Sequence, residues 1–284
     1  MPLVLVGTPI GNLGDLSPRA ISALAAADAI CCEDTRRTGR LLQHAGVERR
    51  PLVVVNDHTE VRAIAGILDR LARGERVAVV TDAGMPGISD PGERLVRAAV
   101  EAGHVVEVVP GPSAAVTALV ASGLGTGRFT FEGFLPRKGS GRSARLREVA
   151  TDSRTTVLYE APHRLVRTLA DLARACGSDR RVAIARELTK LHEEVWRGTL
   201  AEASHWAAER EPRGELVLVL EGAPAPEPAG ADEIEAAVQA RLDAGDTPRD
   251  AASSVALALD VPKRHAYDIA VRRRGEGRVE PPTP

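Results

Sequence analysis

The chain is short of most features that mark a specialised class. It has three cysteines in 284 residues, Cys31, Cys32 and Cys176. Two are adjacent, and adjacent residues on a strand face opposite ways, so they suggest no disulfide framework. No cysteine and histidine set has zinc-ligand spacing, which predicts no metal site. The three cysteines read as small core residues. Aromatics are scarce (Trp 2, Tyr 2, Phe 3), so a base-stacking platform of the single-strand-binding kind is a poor model. No apolar run approaches the ~18 residues that span a bilayer. The opening run Leu3–Val6 has neither a basic segment before it nor a small-residue cleavage site after it, and reads as a first strand. The expectation is a cytoplasmic protein with no membrane partner. A formal net charge of -2 excludes a uniformly basic coat but leaves room for a local basic patch.

What is present is ordinary globular composition, 44% hydrophobic and 27% charged, over a length that suits two domains and a short appendage. Continuous aliphatic runs at Leu3–Val6, Ala29–Cys32, Leu52–Val55, Val77–Val80 and Val105–Val109 predict strands buried on both faces. Helical stretches lie between them, at 17–27, 35–45, 61–73 and 92–102, and Gly46 and Gly103 are helix stops. This alternation predicts a parallel-sheet α/β domain over 1–124. A second α/β domain is expected over 128–222, with strands at 156–159, 182–185, 195–200 and 216–220, a helix at 163–175, and Gly125 to Gly127 as the hinge. Residues 223–230 are Pro/Ala-rich and read as a linker. Residues 231–274 read as two or three helices in a helix-turn-helix-like arrangement, with Asp246 or Thr247 as a cap and Pro248 near the first turn. Residues 275–284 read as a disordered tail.

Ligands of open α/β sheets bind at the carboxyl ends of strands, so the loops there are where chemistry is expected. Residues 7–14 (GTPIGNLG) hold three glycines but neither the Lys-Ser/Thr of a Walker A loop nor G-x-G-x-x-G, which supports neither an NTPase nor a Rossmann dehydrogenase. Residues 81–92 (TDAGMPGISDPG) pack two Asp, three Gly and two Pro immediately before a helix, far more specification than a bland turn needs. Residues 110–115 (PGPSAA) deliver Ser113 to a helix start, where its hydroxyl suits a cap or a ligand contact. Charged clusters follow other strands at 32–37, 159–164 and 186–190. Burying such groups unpaired is costly, so clusters at these places point to function.

Taken together and in order, residues 7–15 (GTPIGNLGD), 32–36 (CEDTR), 56–60 (NDHTE), 81–92, 110–114, 131–136 (FEGFLP), 159–164 (YEAPHR) and 186–190 (RELTK) resemble the tetrapyrrole-methylase superfamily. Within it they resemble the branch that methylates the 2′-hydroxyl of a cytidine in 16S ribosomal RNA near the decoding centre. Ala161 departs from the Ser expected in many relatives. The resemblance implies two α/β domains of the tetrapyrrole-methylase type with the cofactor cleft between them, plus a small C-terminal helical tail. It implies S-adenosyl-L-methionine as cofactor, held by Thr8, Pro9, Asp82, Ala83, Gly84, Met85, Ser89, Ser113, Ala114 and Ala115 and closed by Leu188. It also implies a homodimer acting on 16S rRNA within the small ribosomal subunit.

Methyl transfer from a sulfonium is an in-line displacement that needs alignment and exclusion of water more than an oxyanion hole or metal. A ribose hydroxyl is a weak nucleophile, so a base or a lysine beside it helps. The strand-end candidates are Asp34, Asp90, Glu160, Glu187 and Lys190, with Asp90 and Lys190 preferred as catalytic. The basic segment 136–147 supplies Arg137, Lys138, Arg142 and Arg145 for RNA, and Arg36 and Arg37 add to them. Arg40 and Arg272 to Arg274 are further candidates. Two other readings stay open. One is a methyltransferase of the same fold acting on a tetrapyrrole. The other is a nucleic-acid-binding regulator using the C-terminal helices, against which stand six acidic and two basic residues in 232–250.

Overall fold

A computed structural model describes residues 1–56, 58–224 and 229–276. Met1–Ala223 form one compact unit, and a second begins at Pro224. In the first unit the strands are β1 Leu3–Val6, β2 Ala29–Cys32, β3 Leu52–Val54, β4 Val77–Val79, β5 Val106–Val109, β6 Phe129–Phe134, β7 Thr155–Glu160, β8 Arg181–Arg186, β9 Glu194–Thr199 and β10 Leu216–Leu220. The helices are α1 Pro18–Ala25, α2 Thr35–His44, α3 Glu60–Ala72, α4 Glu93–Glu101, α5 Ala114–Ser122, α6 Ser140–Thr151, α7 Pro162–Cys176 and α8 Leu200–Arg210.

The first sheet has the order β3-β2-β4-β1-β5 and is parallel throughout. Its three inner strands are wholly buried, as helices on both faces require. Cys31 and Cys32 fall in two different core clusters, one on each face. Burial pushes the Cys31 thiol up to about 12, so it packs as an apolar group. Gly46 and Gly103 take positive φ (64 and 77) just past α2 and α4.

The second sheet has the order β6-β7-β10-β8-β9 and is mixed: β6 and β7 run parallel, the remaining neighbours antiparallel. One face packs on α7 and α8 through Leu165, Leu169, Leu172, Leu200 and Ala203. The other is covered by α5, whose Ala115, Ala118 and Leu119 join Val157, Ala183 and Val219 in one cluster with Ile10 and Leu188. The last helix of the first βα series is therefore laid across the second sheet. The exchange of layers occurs at Pro110–Ser113, ahead of the glycines at 125 and 127.

Two contacts fix the strand-end loops. Gly7 and Gly111, just after β1 and β5, lie back to back. A Cβ on Gly7 would come within 2.6 Å of the Gly111 nitrogen, and one on Gly111 within 2.8 Å of Gly7 backbone. Behind the 81–92 loop, the buried Glu60 carboxylate accepts from the backbone N–H groups of Gly92 (3.0 Å) and Leu95 (3.2 Å). A carboxylate on the first turn of α4 suits the helix dipole. Asn56 turns the chain into α3 by accepting from the N–H groups of His58 and Thr59. The 56–60 motif thus supports the loop from behind; its Asp57 lies outside the described residues.

The second unit comprises α9 Ala231–Asp243, α10 Pro248–Leu259 and α11 Lys263–Glu276. Ile234, Val238, Ala252, Val255, Ala266, Ile269 and Ala270 form its core. Thr247 caps α10 by accepting from the Asp250 N–H. Asp260, in the left-handed region at φ 50, ends α10. Half of the expected linker, at 225–228, and most of the expected tail, at 277–284, lie outside the described residues.

Because backbone stands on both sides of the Gly7–Gly111 contact, neither loop can yield to a methyl group. Gly111→Ala lowers unfolding stability by about 3 kcal/mol, the upper part of the usual overpacking range. Urea denaturation measures it, and a wild-type midpoint would show that the loops can part.

Candidate active site

Three loops of the first sheet meet two of the second. Thr8 is buried, and its backbone exchanges hydrogen bonds with Gly84 (N–H to O, 2.9 and 3.2 Å), while its hydroxyl donates to the Thr81 carbonyl (3.2 Å). The loop after β1 is thereby pinned to the loop after β4. Its far end abuts the loop after β8: the Asn12 N–H donates to the Thr189 hydroxyl (3.1 Å), and a Cβ on Gly11 would meet Lys190 Cγ at 2.5 Å. Among the described residues five non-glycines have positive φ, and three of these, Ser89, Glu187 and Thr189, lie in these loops. Backbone held in that region gathers at functional sites, because the surrounding structure must enforce it.

Two adjoining cavities result. The first, about 340 Å³, is lined by Ile10, Met85, Ile88, Ala114, Leu188 and Val217, with Ser89, Asp90, Ser113, Tyr159, Glu160 and Glu215 as its polar groups. Phe131 and Phe134 meet the Tyr159 ring edge-on at 5.0 and 5.7 Å, so Phe134 and Tyr159 line one wall and Phe131 packs against Tyr159. Burial pushes the Tyr159 phenol up, and the Asp90 charge adds to this, against a bond from the Ala115 N–H. The second cavity, about 370 Å³, is lined by Thr8, Pro9, Gly11, Arg37, Thr38, Arg40, Asp82 and Lys190. Ile10, Ala83 and Glu215 line both.

The two differ in charge. The first cavity has three carboxylates in its lining and no lysine, arginine or histidine. The second has three cations, Arg37, Arg40 and Lys190, and two carboxylates, Asp82 and Glu215. Lys190 Nζ donates to Glu187 (2.8 Å) and Glu215 (2.9 Å). Its partial burial works to lower the ammonium pKa, but the two carboxylates outweigh that and the net shift is upward. Lys190 is therefore a fixed positive charge and not a base. Glu187 is held below its ordinary range by Lys190 and by the Glu215 N–H. Asp82 faces Arg37 at 3.4 Å, while its Oδ1 is buried without a hydrogen-bond partner among the described residues.

The residues singled out in the sequence are divided between the cavities. Ala83, Gly84, Met85, Ser89, Ser113, Ala114 and Leu188 line the first, as does Asp90. Thr8, Pro9, Asp82 and Lys190 line the second. Ala115 lines neither and lies in the core. Ser113 stands at the N-terminus of α5 without a side-chain capping bond. Asp34 caps α2 and chelates Arg36, which holds its carboxyl well below the usual range. Glu160 is buried, accepting from the Ala161 N–H and the Thr168 hydroxyl. Ile10, Phe134 and Tyr159 lie in motifs marked in the sequence without being named as site residues, and Glu215 lies in none of those motifs. Only the folding together of distant loops brings them to the site.

Arg142 corrects the reading of 136–147 as a free basic segment. It is 4% exposed, paired with Asp171 at 2.9 Å, and donates to the Pro136 carbonyl and the Thr168 hydroxyl. It ties α6 to α7 and has no face for a phosphate. Arg145 is half-exposed and held by Glu132 (3.1 Å) and Glu148 (2.9 Å). Arg137 and Lys138 are exposed. Arg36 is 86% exposed and Arg37 63% exposed, each with an acidic neighbour.

The Glu187–Lys190 pair has a pH signature. Since the folded carboxyl is depressed, its contribution is complete above the unfolded value of about 4.3 and is lost as pH falls through the lower folded value. Glu187→Gln is therefore destabilised at neutral pH, and its deficit against wild type shrinks as pH falls below that range. Urea denaturation across acid pH reads this out; a deficit independent of pH would assign it to packing.

The family model for Tetrapyrrole (Corrin/Porphyrin) Methylases matches residues 2–204. The Ribosomal RNA small subunit methyltransferase I of Synechocystis is 43% identical over 97% of this chain and 99% of its own. The protein of the same name from Mycobacterium bovis is 45% identical over 96% of each, and that from Escherichia coli O157:H7 is 43% identical over 96% of each. Among solved structures, the methyltransferase CobJ superposes with a TM-score of 0.61 at 22% identity, covering 81% of this chain and 97% of its own. Uroporphyrin-III-C-methyltransferase from Thermus thermophilus gives 0.56 at 23%, over 77% and 93%. At such identities these two share the fold alone. The chain belongs to the tetrapyrrole methylase family and, within it, to the ribosomal RNA small subunit methyltransferase I family.

Proposed function

We propose that the chain transfers a methyl group from S-adenosylmethionine to the 2′-hydroxyl of a cytidine in 16S ribosomal RNA near the decoding centre. The observation that carries this reading is the different charge make-up of two adjoining cavities. A pocket whose lining holds Asp90, Glu160 and Glu215 and no cation suits a sulfonium, with Arg164 meeting Glu160 at 3.3 Å and Lys190 meeting Glu215 at 2.9 Å from outside that lining. A neighbour lined by Arg37, Arg40 and Lys190 suits a ribose flanked by phosphates. The names of the relatives, small subunit ribosomal RNA methyltransferases, point the same way.

The first cavity fits the methyl donor. Its apolar walls suit an adenine ring, its size is that of a small-molecule site, and Ser89 and Ser113 supply polar contacts. When bound, the donor supplies an activated methyl group whose departure leaves a neutral thioether. The chain's own work is to align the acceptor oxygen, shed water and take up one proton. In this reading Asp90 takes the hydroxyl proton, and Lys190 holds charge beside the oxygen that loses it. Asp82 Oδ1 offers an unsatisfied acceptor for a ribose or cytosine donor in the second cavity. Arg36, Arg37, Arg137, Lys138 and Arg145 contact phosphate; Arg142 does not. The setting is the cytoplasm, and the enzyme is a homodimer: Val105, Val108, Val116 and Val120 are exposed, apolar surface of the kind a second copy covers.

The direct test incubates the protein with labelled S-adenosylmethionine and small ribosomal subunits and then maps the label. A cytidine whose 3′ linkage resists alkali is the expected product. Label on a base, or on a precorrin and not on RNA, would overturn the reading. Asp90→Asn lowers kcat at least ~100-fold, as loss of a general base does, with cofactor affinity within about twofold of wild type; undiminished turnover would remove Asp90 as the base. Replacing Arg137 and Lys138 by Ala reduces the salt slope of RNA binding by roughly 0.7–0.9 per contact. Arg142→Ala leaves that slope alone and instead lowers stability by about 3 kcal/mol.

A further inference from the structure

We infer that the outward face of α11, in the second unit, is a further RNA-binding surface of the chain. The inference rests on the RNA reading above and extends it to the C-terminal unit. Ala266, Ile269 and Ala270 form the inward side of α11, and Arg273 pairs with Glu235 of α9 at 2.5 Å. At helical spacing the opposite side carries Lys263, Arg264, Tyr267, Val271 and Arg274, all exposed. Lys263, Arg264 and Arg274 have no ion pair among the described residues. Asp268 is the one acidic residue in 263–274.

Helix formation does not explain this arrangement. Cations suit the last turn of a helix, where Arg273 and Arg274 fall. Lys263 and Arg264 stand in the first turn, at the positive end of the dipole, and that turn holds no acidic residue. Two cations there work against the helix unless an external anion is close. A chain poor in aromatics also places Tyr267 on this face at 43% exposed, beside Val271 at 48%. Cations around an exposed aromatic ring match a phosphate backbone with an unstacked base. The acidic charge of 232–250 that argued against nucleic acid lies on α9 and the start of α10. The turn at Asp260–Pro262 then presents α11 as the second helix of a helix-turn-helix arrangement, the helix that meets nucleic acid in such motifs.

The test uses the full chain and three variants: Lys263→Ala/Arg264→Ala/Arg274→Ala, Tyr267→Ala and Tyr267→Phe. Binding is measured by filter retention against small ribosomal subunits and against protein-free 16S rRNA, across a salt series. The triple variant binds both probes at least tenfold more weakly and loses about 2 to 3 from the salt slope. Tyr267→Ala weakens binding with little slope change, and Tyr267→Phe binds as wild type. Turnover at saturating subunits and cofactor binding stay within twofold in all three. Unchanged affinity in the triple variant overturns the inference. So does weakening on subunits but not on bare rRNA, which would make the partner a ribosomal protein. If wild type methylates no ribose yet the triple variant still loses slope, the reaction reading falls while this surface stands.

Discussion

The main-chain contact between Gly7 and Gly111 constrains everything built at the strand ends. β1 and β5 are neighbours, and with no side chain between them the loops that follow leave in fixed directions. One carries Ile10 into the apolar layer of the second sheet and presses Gly11 against Lys190. The other turns at once into α5, which covers that same layer. A single close approach in the first sheet thus decides how the second sheet is covered; both loops line the first cavity, and the loop after β1 lines the second as well. Glu60 reinforces the third side by fixing the start of α4, and with it the end of the 81–92 loop.

Keeping a cation-lined cavity next to a carboxylate-lined one raises an electrostatic difficulty, which Lys190 resolves. Its ammonium lies between Glu187 and Glu215, so the two carboxylates at the border do not repel unopposed. The same pairing shifts the Lys190 ammonium upward despite its partial burial. Glu187 and Thr189 must hold left-handed backbone to bring Lys190 there. That conformation is unfavourable for residues with a Cβ. The Thr189 bond to Asn12 and the Glu187 bond to the Glu215 N–H help to enforce it.

The first sheet was legible because its strands leave aliphatic runs, and all five appear within a residue of the expected bounds; burial on both faces holds for the three inner strands, whereas β3 and β5, at the edges, are partly exposed. β6 left no such run: it is an edge strand, bulged near Gly133 and only partly buried. α6 opens with Ser, Gly and Arg, and so resembled a basic loop. The same ambiguity hid Arg142, since nothing in an arginine-rich segment says which guanidinium turns inward; Asp171 and Thr168, about a full helix away, decide it. The loops of the site were legible as glycine-rich and proline-rich punctuation. Their division into two cavities was not, because it depends on which side chains from 81–90 point to which side.

Charge counted along the sequence misleads here in both directions. Arg142 adds to the apparent basicity of 136–147 but is spent on Asp171. Conversely, the acidity of 232–250 hides that the unit's cations gather on one helix. Binding to a polyanion depends on potential over a patch about a Debye length across, so neither the net charge of -2 nor a segment total bears on it directly. What matters is which charges face solvent without a partner. By that measure Arg137, Lys138, Lys263, Arg264 and Arg274, like Arg40, Arg94 and Arg147, differ from the arginines that serve internal pairs. An enzyme of nearly neutral net charge can in this way hold RNA at chosen places without adhering to every polyanion it meets.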